Sequence, residues 1–425
     1  MAQNECYTKE WQRTRPDLVV YLPALPGQRD EYADHIQIFY TPGGDLLAIW
    51  TQASYESAPD NRIVYSRSSD GGKTWAPIQV LDEPRAPGLC PALGFPLVSR
   101  SGRLYCLYNQ NLGSADRGAL FCGVLRVKYS DDDGHTWIAG EADIEWRRTR
   151  FDHPDPEVPA NCIVWQAPIR DARDRLVVGF SRWSNSTIRP RPLGGNRFHA
   201  DTHCELMRFD NIDEGPHPKD LEITWLPDEE GEIAVSPGIE PDASRGYSLA
   251  EEPALALLPD GRLWMNMRTV TGRIWYTVSA DHGHSWRPPE PLRYRDNGAE
   301  VLHPKSPAPC YRLEDGRYLL FFHNHDGYDY GATGPWDMDA RRPLFVTVGE
   351  FRPGAHQPIW FSEPRLLCDT ENVTAGVTAL TWLAMYSSLT ERGGRRIFWY
   401  ADRKQFVLGK YISDEMLAGM VPDSC

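Results

Sequence analysis

The chain has 425 residues, with 45 Lys and Arg against 59 Asp and Glu, for a formal net charge of −14. That balance argues against nucleic acid or an anionic membrane as partner, since both demand a positive electrostatic footprint. Hydrophobic residues at 41% suffice for a sizeable core, while 35 Gly, 35 Pro, 15 Trp and 19 Tyr point to many short strands and tight turns rather than long helices.

The first twenty residues are polar and charged, with Glu5, Lys9, Glu10 and Arg13, and contain no apolar signal-peptide core. No apolar run reaches membrane-spanning length, so a cytoplasmic protein is the expectation. Inner strands are predicted to begin near residues 36, 94, 163, 252, 305 and 383. Hairpin turns follow at Thr41–Leu47, Arg100–Leu104, Asp171–Leu176, Pro259–Leu263 and Glu314–Tyr318, four of them carrying glycine.

A second motif repeats three times: Ser68-Ser69-Asp70-Gly71-Gly72-Lys73-Thr74-Trp75, Ser130 to Trp137 and Ser279 to Trp286, with the common form S-x-D-x-G-x-[ST]-W. Each copy follows a short alternating apolar run. The Ser and Asp oxygens suit hydrogen bonds to loop N–H groups, the Gly allows a backbone closed to other residues, and the Trp anchors the returning strand.

Six hairpin starts divide the chain into units of about 71 residues, room for a four-stranded blade and its loops. The reading is an all-β chain, one domain over 1–425 built as a six-bladed β-propeller, although counting alone leaves five or seven blades open. The blades fall near 35–80, 92–142, 162–226, 250–292, 303–364 and 380–415, with an insertion at about 183–247. The nine cysteines are scattered with no C-x-x-C and read as reduced, mostly buried thiols. His323-x-His325 places two imidazoles on one strand face, but no third ligand stands at clear spacing, so no metal site is expected.

The three boxes in this strand context resemble the Asp boxes of the sialidase (neuraminidase) superfamily of six-bladed propellers. In that family they lie away from the active site, which implies a structural role for Asp70, Asp132 and Asp281. The resemblance extends to the site. Glu252 opens a strand and Asn266-Met267-Arg268 closes the next at the family's spacing, which implies Glu252 as the glutamate that polarises a tyrosine and Arg268 as a substrate-carboxylate arginine. Tyr386-Ser387-Ser388-Leu389 resembles the segment of the tyrosine nucleophile. Ala340-Arg341-Arg342-Pro343-Leu344 resembles the strand of another arginine, with Arg341 and Arg342 as rivals. The acid/base falls in Tyr55 to Ile63, on Asp60 or Glu56. Where the family opens with R-I-P, this chain has His35-Ile36-Gln37. His35 therefore stands in the place of the first arginine, without a bidentate fork, and Arg29 is a possible substitute. Gln166 and Trp165 are candidate pocket-lining residues, and His323 is a candidate substrate contact.

These assignments imply a retaining exo-glycosidase acting on a terminal acidic sugar, with no cofactor. One alternative is a propeller enzyme on a different acidic glycan, either another hydrolase or a lyase using Tyr386 and His35. The other is a non-catalytic glycan-binding propeller.

Overall fold

A computed structural model describes residues 9–24, 28–113, 122–189, 201–236 and 247–423. The described chain forms six antiparallel sheets arranged as the blades of a propeller. Blade 1 comprises Tyr32–Tyr40, Leu46–Ala53, Arg62–Ser68 and Gln79–Asp82. Blade 2 comprises Pro91–Val98, Leu104–Gln110, Val124–Ser130 and Ile138–Ile144. In blade 3 the inner strand is split into Asn161–Ile163 and Ile169–Arg170, followed by Leu176–Trp183, Thr202–Phe209 and Ile223–Leu226. Blade 4 comprises Glu251–Leu257, Leu263–Arg268, Trp275–Ser279 and Glu290–Pro291. Blade 5 comprises Cys310–Arg312, Tyr318–Phe322, Leu344–Phe351 and Ile359–Phe361, with Arg365–Cys368 also pairing to the third strand. The insertion expected at about 183–247 lies partly outside the described residues.

Blade 6 supplies only three consecutive strands, Leu383–Arg392, Arg395–Asp402 and Phe406–Tyr411. Its outer strand is Leu18–Tyr21, with Leu18 opposite Gly409 and Val19 opposite Leu408. The two ends of the chain thus share one sheet, which closes the ring and covers an edge that would otherwise be open.

The core lies between neighbouring blades. Trp50 of blade 1 packs with Ile397, Trp399 and Val407 of blade 6, and Phe95 and Leu97 of blade 2 with Val178 and Phe180 of blade 3. Both faces of a blade are therefore covered, and every residue of Leu46–Ala53 is buried. This is why several strands read as continuous apolar runs instead of alternating.

The Asp boxes form as their chemistry dictates. Asp70 Oδ1 accepts from the amides of Lys73 and Thr74, both at 2.9 Å, and Trp75 Nε1 donates to the Gly72 carbonyl at 3.1 Å. Asp132 and Asp281 repeat the amide contact with Thr136 and Ser285, at 2.8 and 2.9 Å. Ser68 pairs with Leu46 at the hairpin end of blade 1, whereas Tyr32 pairs with Ala53 at the far end. The boxes therefore share the hairpin face. In the glycine-less hairpin, Asp174 takes the left-handed conformation at φ +65°, and Asp171 accepts from the amides of Arg173 and Arg175. The seven described cysteines are all buried, and Cys6 and Cys425 lie outside the described residues.

Candidate active site

At the end of the inner strands away from the Asp boxes, the sheets are interrupted in a repeating way. The pairing register shifts between Asp34 and Gln37, Ala92 and Phe95, Glu251 and Ala254, and Ala384 and Ser388. In three of these bulges a non-glycine residue is left-handed: His35 at φ +55°, Leu93 at +60° and Glu252 at +47°. Each stands nine positions before the left-handed glycine of its hairpin, Gly44, Gly102 or Gly261, and Trp165 stands nine before Asp174. The bulges thus occupy one level around the axis. The conformation costs about 1–2 kcal/mol per residue, and bulges re-aim side chains that a regular strand would bury between sheets.

Tyr386 of blade 6 and Glu252 of blade 4 meet at this level. The Tyr386 hydroxyl donates to Glu252 Oε1 at 2.6 Å. Arg268 Nη1 lies 2.5 Å from Glu252 Oε2 and 3.2 Å from the phenolic oxygen, while its Nη2 pairs with Glu251 at 2.6 Å. All four side chains are buried. Trp165 packs edge-on to the Tyr386 ring, centroids 6.1 Å apart, and is fixed by an Nε1–H bond to the Pro253 carbonyl at 2.9 Å. Ser181 Oγ accepts from the Glu252 amide at 2.6 Å and holds the left-handed residue in place.

Burial, and then the Glu252 charge, push the Tyr386 hydroxyl well above its ordinary value, so the resting group is a neutral phenol. Burial also raises the Glu252 carboxyl, against the pull of Arg268. Burial works against the charge on Arg268, but Glu252 and Glu251 outweigh it and keep the guanidinium cationic. The result is a phenol bonded to a buried carboxylate whose proton affinity is already enhanced.

The remaining cations approach from blades 5 and 6. Arg341 is fully buried; its Nε donates to the Lys305 carbonyl at 3.0 Å and its guanidinium lies 5.0 Å over the Trp382 ring. Lys404 sits 5.1 Å above the Tyr386 ring and pairs with Asp34 at 3.0 Å and Glu56 at 2.7 Å. It is aimed inward by a turn in which Arg403 and Lys404 are both left-handed. Arg403 points the other way and donates to the Glu10 carbonyl at 2.7 Å.

Several expectations change. His35 reaches the site, its ring 4.5 Å from that of Tyr386, but burial and the Lys404 charge pull its pKa down to about 3. The neutral imidazole cannot supply the cation of a first arginine. Arg29 does not take that place either: it bonds the Asp60 carbonyl and faces Glu83 at 3.8 Å. Between the two rivals in blade 5, Arg341 joins the cluster, while Arg342 makes a bidentate pair with Asp369 at 2.9 and 2.7 Å. Between the two acid/base candidates, the Asp60 carboxylate turns back to accept from the Ser54 amide and hydroxyl, and Glu56 is the one that reaches Lys404. A cavity of about 110 Å³ opens beside Tyr32, Glu56 and Lys404.

Gln166 accepts from the Leu255 amide at 3.2 Å and lines a separate cavity of about 710 Å³, with Tyr40, Tyr311 and Glu391, on the hairpin side. It does not reach the tyrosine. His323 is fully buried and neutral: its Nδ1–H donates to the Pro343 carbonyl at 2.9 Å and its Nε2 accepts from Ser306. His325 donates from Nε2 to the Arg342 carbonyl at 2.9 Å and accepts from the Gly327 amide. Both imidazoles are used up in holding the backbone next to Arg341 and offer no free nitrogen to a substrate. Among the described residues no group of three His, Cys, Asp or Glu side chains could hold a metal ion.

Sequence reasoning did not single out Lys404, Asp34, Glu251 or Lys305. Asp34 and Glu251 each precede a left-handed bulge residue, a position that the hairpin spacing could have flagged. The two lysines carry no local signal.

The fold and the cluster define a six-bladed propeller with a buried tyrosine, glutamate and arginine centre. The chain belongs to the BNR repeat-like domain family, whose model matches residues 44–395. No curated protein matches it. Among solved structures, a protein of unknown function from Dyadobacter fermentans is 15% identical with a TM-score of 0.62, covering 94% of this chain and 98% of the other. The intramolecular trans-sialidase of Ruminococcus gnavus, bound to oseltamivir carboxylate, is 15% identical with a TM-score of 0.57, at 95% and 98% coverage. An α-L-arabinofuranosidase of Fusarium graminearum, bound to arabinobiose, is 13% identical with a TM-score of 0.55, at 95% and 99% coverage. This likeness establishes the propeller fold. No helix among the described residues is long and apolar enough to cross a membrane.

Proposed function

We propose that the chain is a retaining exo-glycosidase of sialidase type, acting on a terminal acidic sugar with Tyr386 as nucleophile. The observation that carries this reading is the 2.6 Å hydrogen bond from the buried Tyr386 hydroxyl to Glu252, with Arg268 at 3.2 Å from the same oxygen. A phenol is a poor nucleophile at its ordinary pKa of about 10. A carboxylate already in hydrogen-bond contact, with a proton affinity raised by burial, can take the proton as the bond to the anomeric carbon forms. A neutral nucleophile also suits a substrate whose own carboxylate adjoins that carbon and would repel an anionic attacker.

In the first displacement Glu56, protonated on substrate entry and released from Lys404, gives its proton to the leaving oxygen while Glu252 takes the Tyr386 proton. In the second, Glu56 takes a proton from the attacking water and Glu252 returns its proton to the departing Tyr386 oxygen. Arg341 binds the substrate carboxylate by a charge-assisted hydrogen bond. A second reading, a lyase acting on an acidic glycan, is favoured by one observation: the neutral His35 ring lies 4.5 Å from Tyr386, and its Nδ1 has no hydrogen-bond partner among the described residues.

The test is to incubate the purified chain with a fluorogenic N-acetylneuraminide, a fluorogenic arabinofuranoside and uronate polysaccharides. Release from the acidic glycoside, lost by at least about 10³-fold in Tyr386→Phe, or ~4 kcal/mol of barrier, is expected. Full turnover by that variant would remove Tyr386 from the chemistry. An unsaturated product absorbing in the ultraviolet would indicate the lyase, and no consumption of any substrate would indicate a binding protein.

A further inference from the structure

The charges around Tyr386 are not evenly satisfied. Arg268 is held by two carboxylates, Glu251 and Glu252. Lys404 is held by two more, Asp34 and Glu56. Among the described residues Arg341 and Lys305 pair with none. Among the described residues the buried Arg341 Nη1 has no hydrogen-bond partner, and the other hydrogen bonds of its guanidinium go to the Lys305 carbonyl and the Met338 sulfur, both at 3.0 Å. Lys305 is 3% exposed, and among the described residues its ammonium makes no hydrogen bond or ion pair.

The Arg341 side chain is tied to the Lys305 backbone through the Lys305 carbonyl, and the stretch that carries Lys305 is braced by further hydrogen bonds. The Lys305 amide donates to the Pro335 carbonyl at 2.7 Å. His303 donates from Nε2 to the Ser306 carbonyl at 2.8 Å and stacks on His323 at 5.2 Å. A buried cation without a counter-ion is costly unless a ligand supplies one.

Resting on the reading of this cluster as the substrate site, we propose that Lys305 and Arg341 together form the subsite for the substrate's anionic group. Lys305 thereby supplies the second cation that His35 cannot. The grip is displaced toward blade 5, because Arg268 and Lys404 are already neutralised by carboxylates of the protein. The groups whose charges bear on Lys305 are Arg341, which disfavours its protonation, and Glu56, which favours it, while burial dominates and lowers its pKa well below the ordinary value. An incoming carboxylate adds a further negative charge and draws a proton onto the amine.

A site built for an absent anion predicts that its lysine destabilises the empty protein, the opposite of a structural lysine. Thermal unfolding of the wild type, Lys305→Met and Lys305→Arg would be measured in sodium acetate against sodium chloride at equal ionic strength. The same three proteins would be measured with N-acetylneuraminic acid against its methyl ester. The wild type should be stabilised by acetate and by the free acid but not by the ester. Lys305→Met should melt about 2 °C or more higher in chloride and lose the response to both carboxylates, and Lys305→Arg should keep that response. A lower melting point for Lys305→Met, an unchanged carboxylate response in that variant, or no carboxylate response in the wild type would each overturn the subsite. Turnover retained in Tyr386→Phe would overturn the glycosidase reading and leave the subsite untouched.

Discussion

Replacing Glu252 by Gln tests the centre most sharply, because it changes charge while preserving shape. Glu252 accepts from Tyr386 at 2.6 Å and pairs with Arg268 at 2.5 Å. A glutamine in the same rotamer still accepts the Tyr386 hydrogen bond through its carbonyl oxygen, but it cannot take the proton. The loss should be about 10²–10⁴-fold in kcat, the usual worth of a positioned general base, or roughly 3–5 kcal/mol of barrier. Arg268 keeps Glu251, which leaves a balanced pair, but the amide –NH2 now faces the Arg268 guanidinium, donor to donor, where Oε2 accepted. A buried hydrogen bond left unmade costs about 1–3 kcal/mol, so the variant should melt a few degrees lower.

The pH profile adds a second readout. Burial raises the Glu252 carboxyl above its ordinary value of 4.5. The group must be ionised to accept a proton, so kcat/KM in the wild type should fall as pH drops through that raised value. The acidic limb should be missing from whatever activity Glu252→Gln retains. Initial rates on a fluorogenic acidic glycoside from pH 4 to 8, with circular dichroism as the folding control, make the measurement. A folded variant within about threefold of wild-type kcat would refute the reasoning.

Arg341→Met should raise KM for an acidic substrate by about 10–100-fold through loss of a charge-assisted contact, whereas Arg342→Met should cost at most about 1 kcal/mol of stability and leave KM unchanged, since its partner Asp369 is partly exposed. Equal kinetic effects from the two would mean that the site is not where the side chains converge. The Asp boxes should govern acid stability. The pKa of Asp132 is lowered to about 2, chiefly by the Thr136 hydroxyl and amide, from an ordinary 3.8. A depressed carboxyl contributes stability above its unfolded value and loses it as pH falls toward the folded one, so the contribution should vanish between about pH 4 and pH 2. Thermal melts of Asp132→Asn over that range should show a flatter dependence than the wild type, and identical slopes would contradict the assignment.

The amino-acid sequence determined the repeat and therefore the architecture. S-x-D-x-G-x-[ST]-W and the Gly hairpins are local devices whose hydrogen bonds close within a few residues, so Asp70, Asp132 and Asp281 form the same turn wherever they occur. Glu252, Arg268 and Tyr386 were legible for a related reason, since each sits in a short motif at a fixed place in its own blade. Contacts that close across the ring left no such trace. Glu252 and Tyr386 are 134 residues apart. Arg341 and Arg342 are neighbours that point to opposite sides, and only packing decides which one enters the centre. His35 occupies the expected position but is neutral, because burial and Lys404 act on it through space. Lys404 and Lys305 are single lysines in unremarkable stretches, given their place by a left-handed turn and by a histidine-braced loop. Local chemistry specified the blades; closing them into a ring brought their charges together, away from water, as one buried cluster.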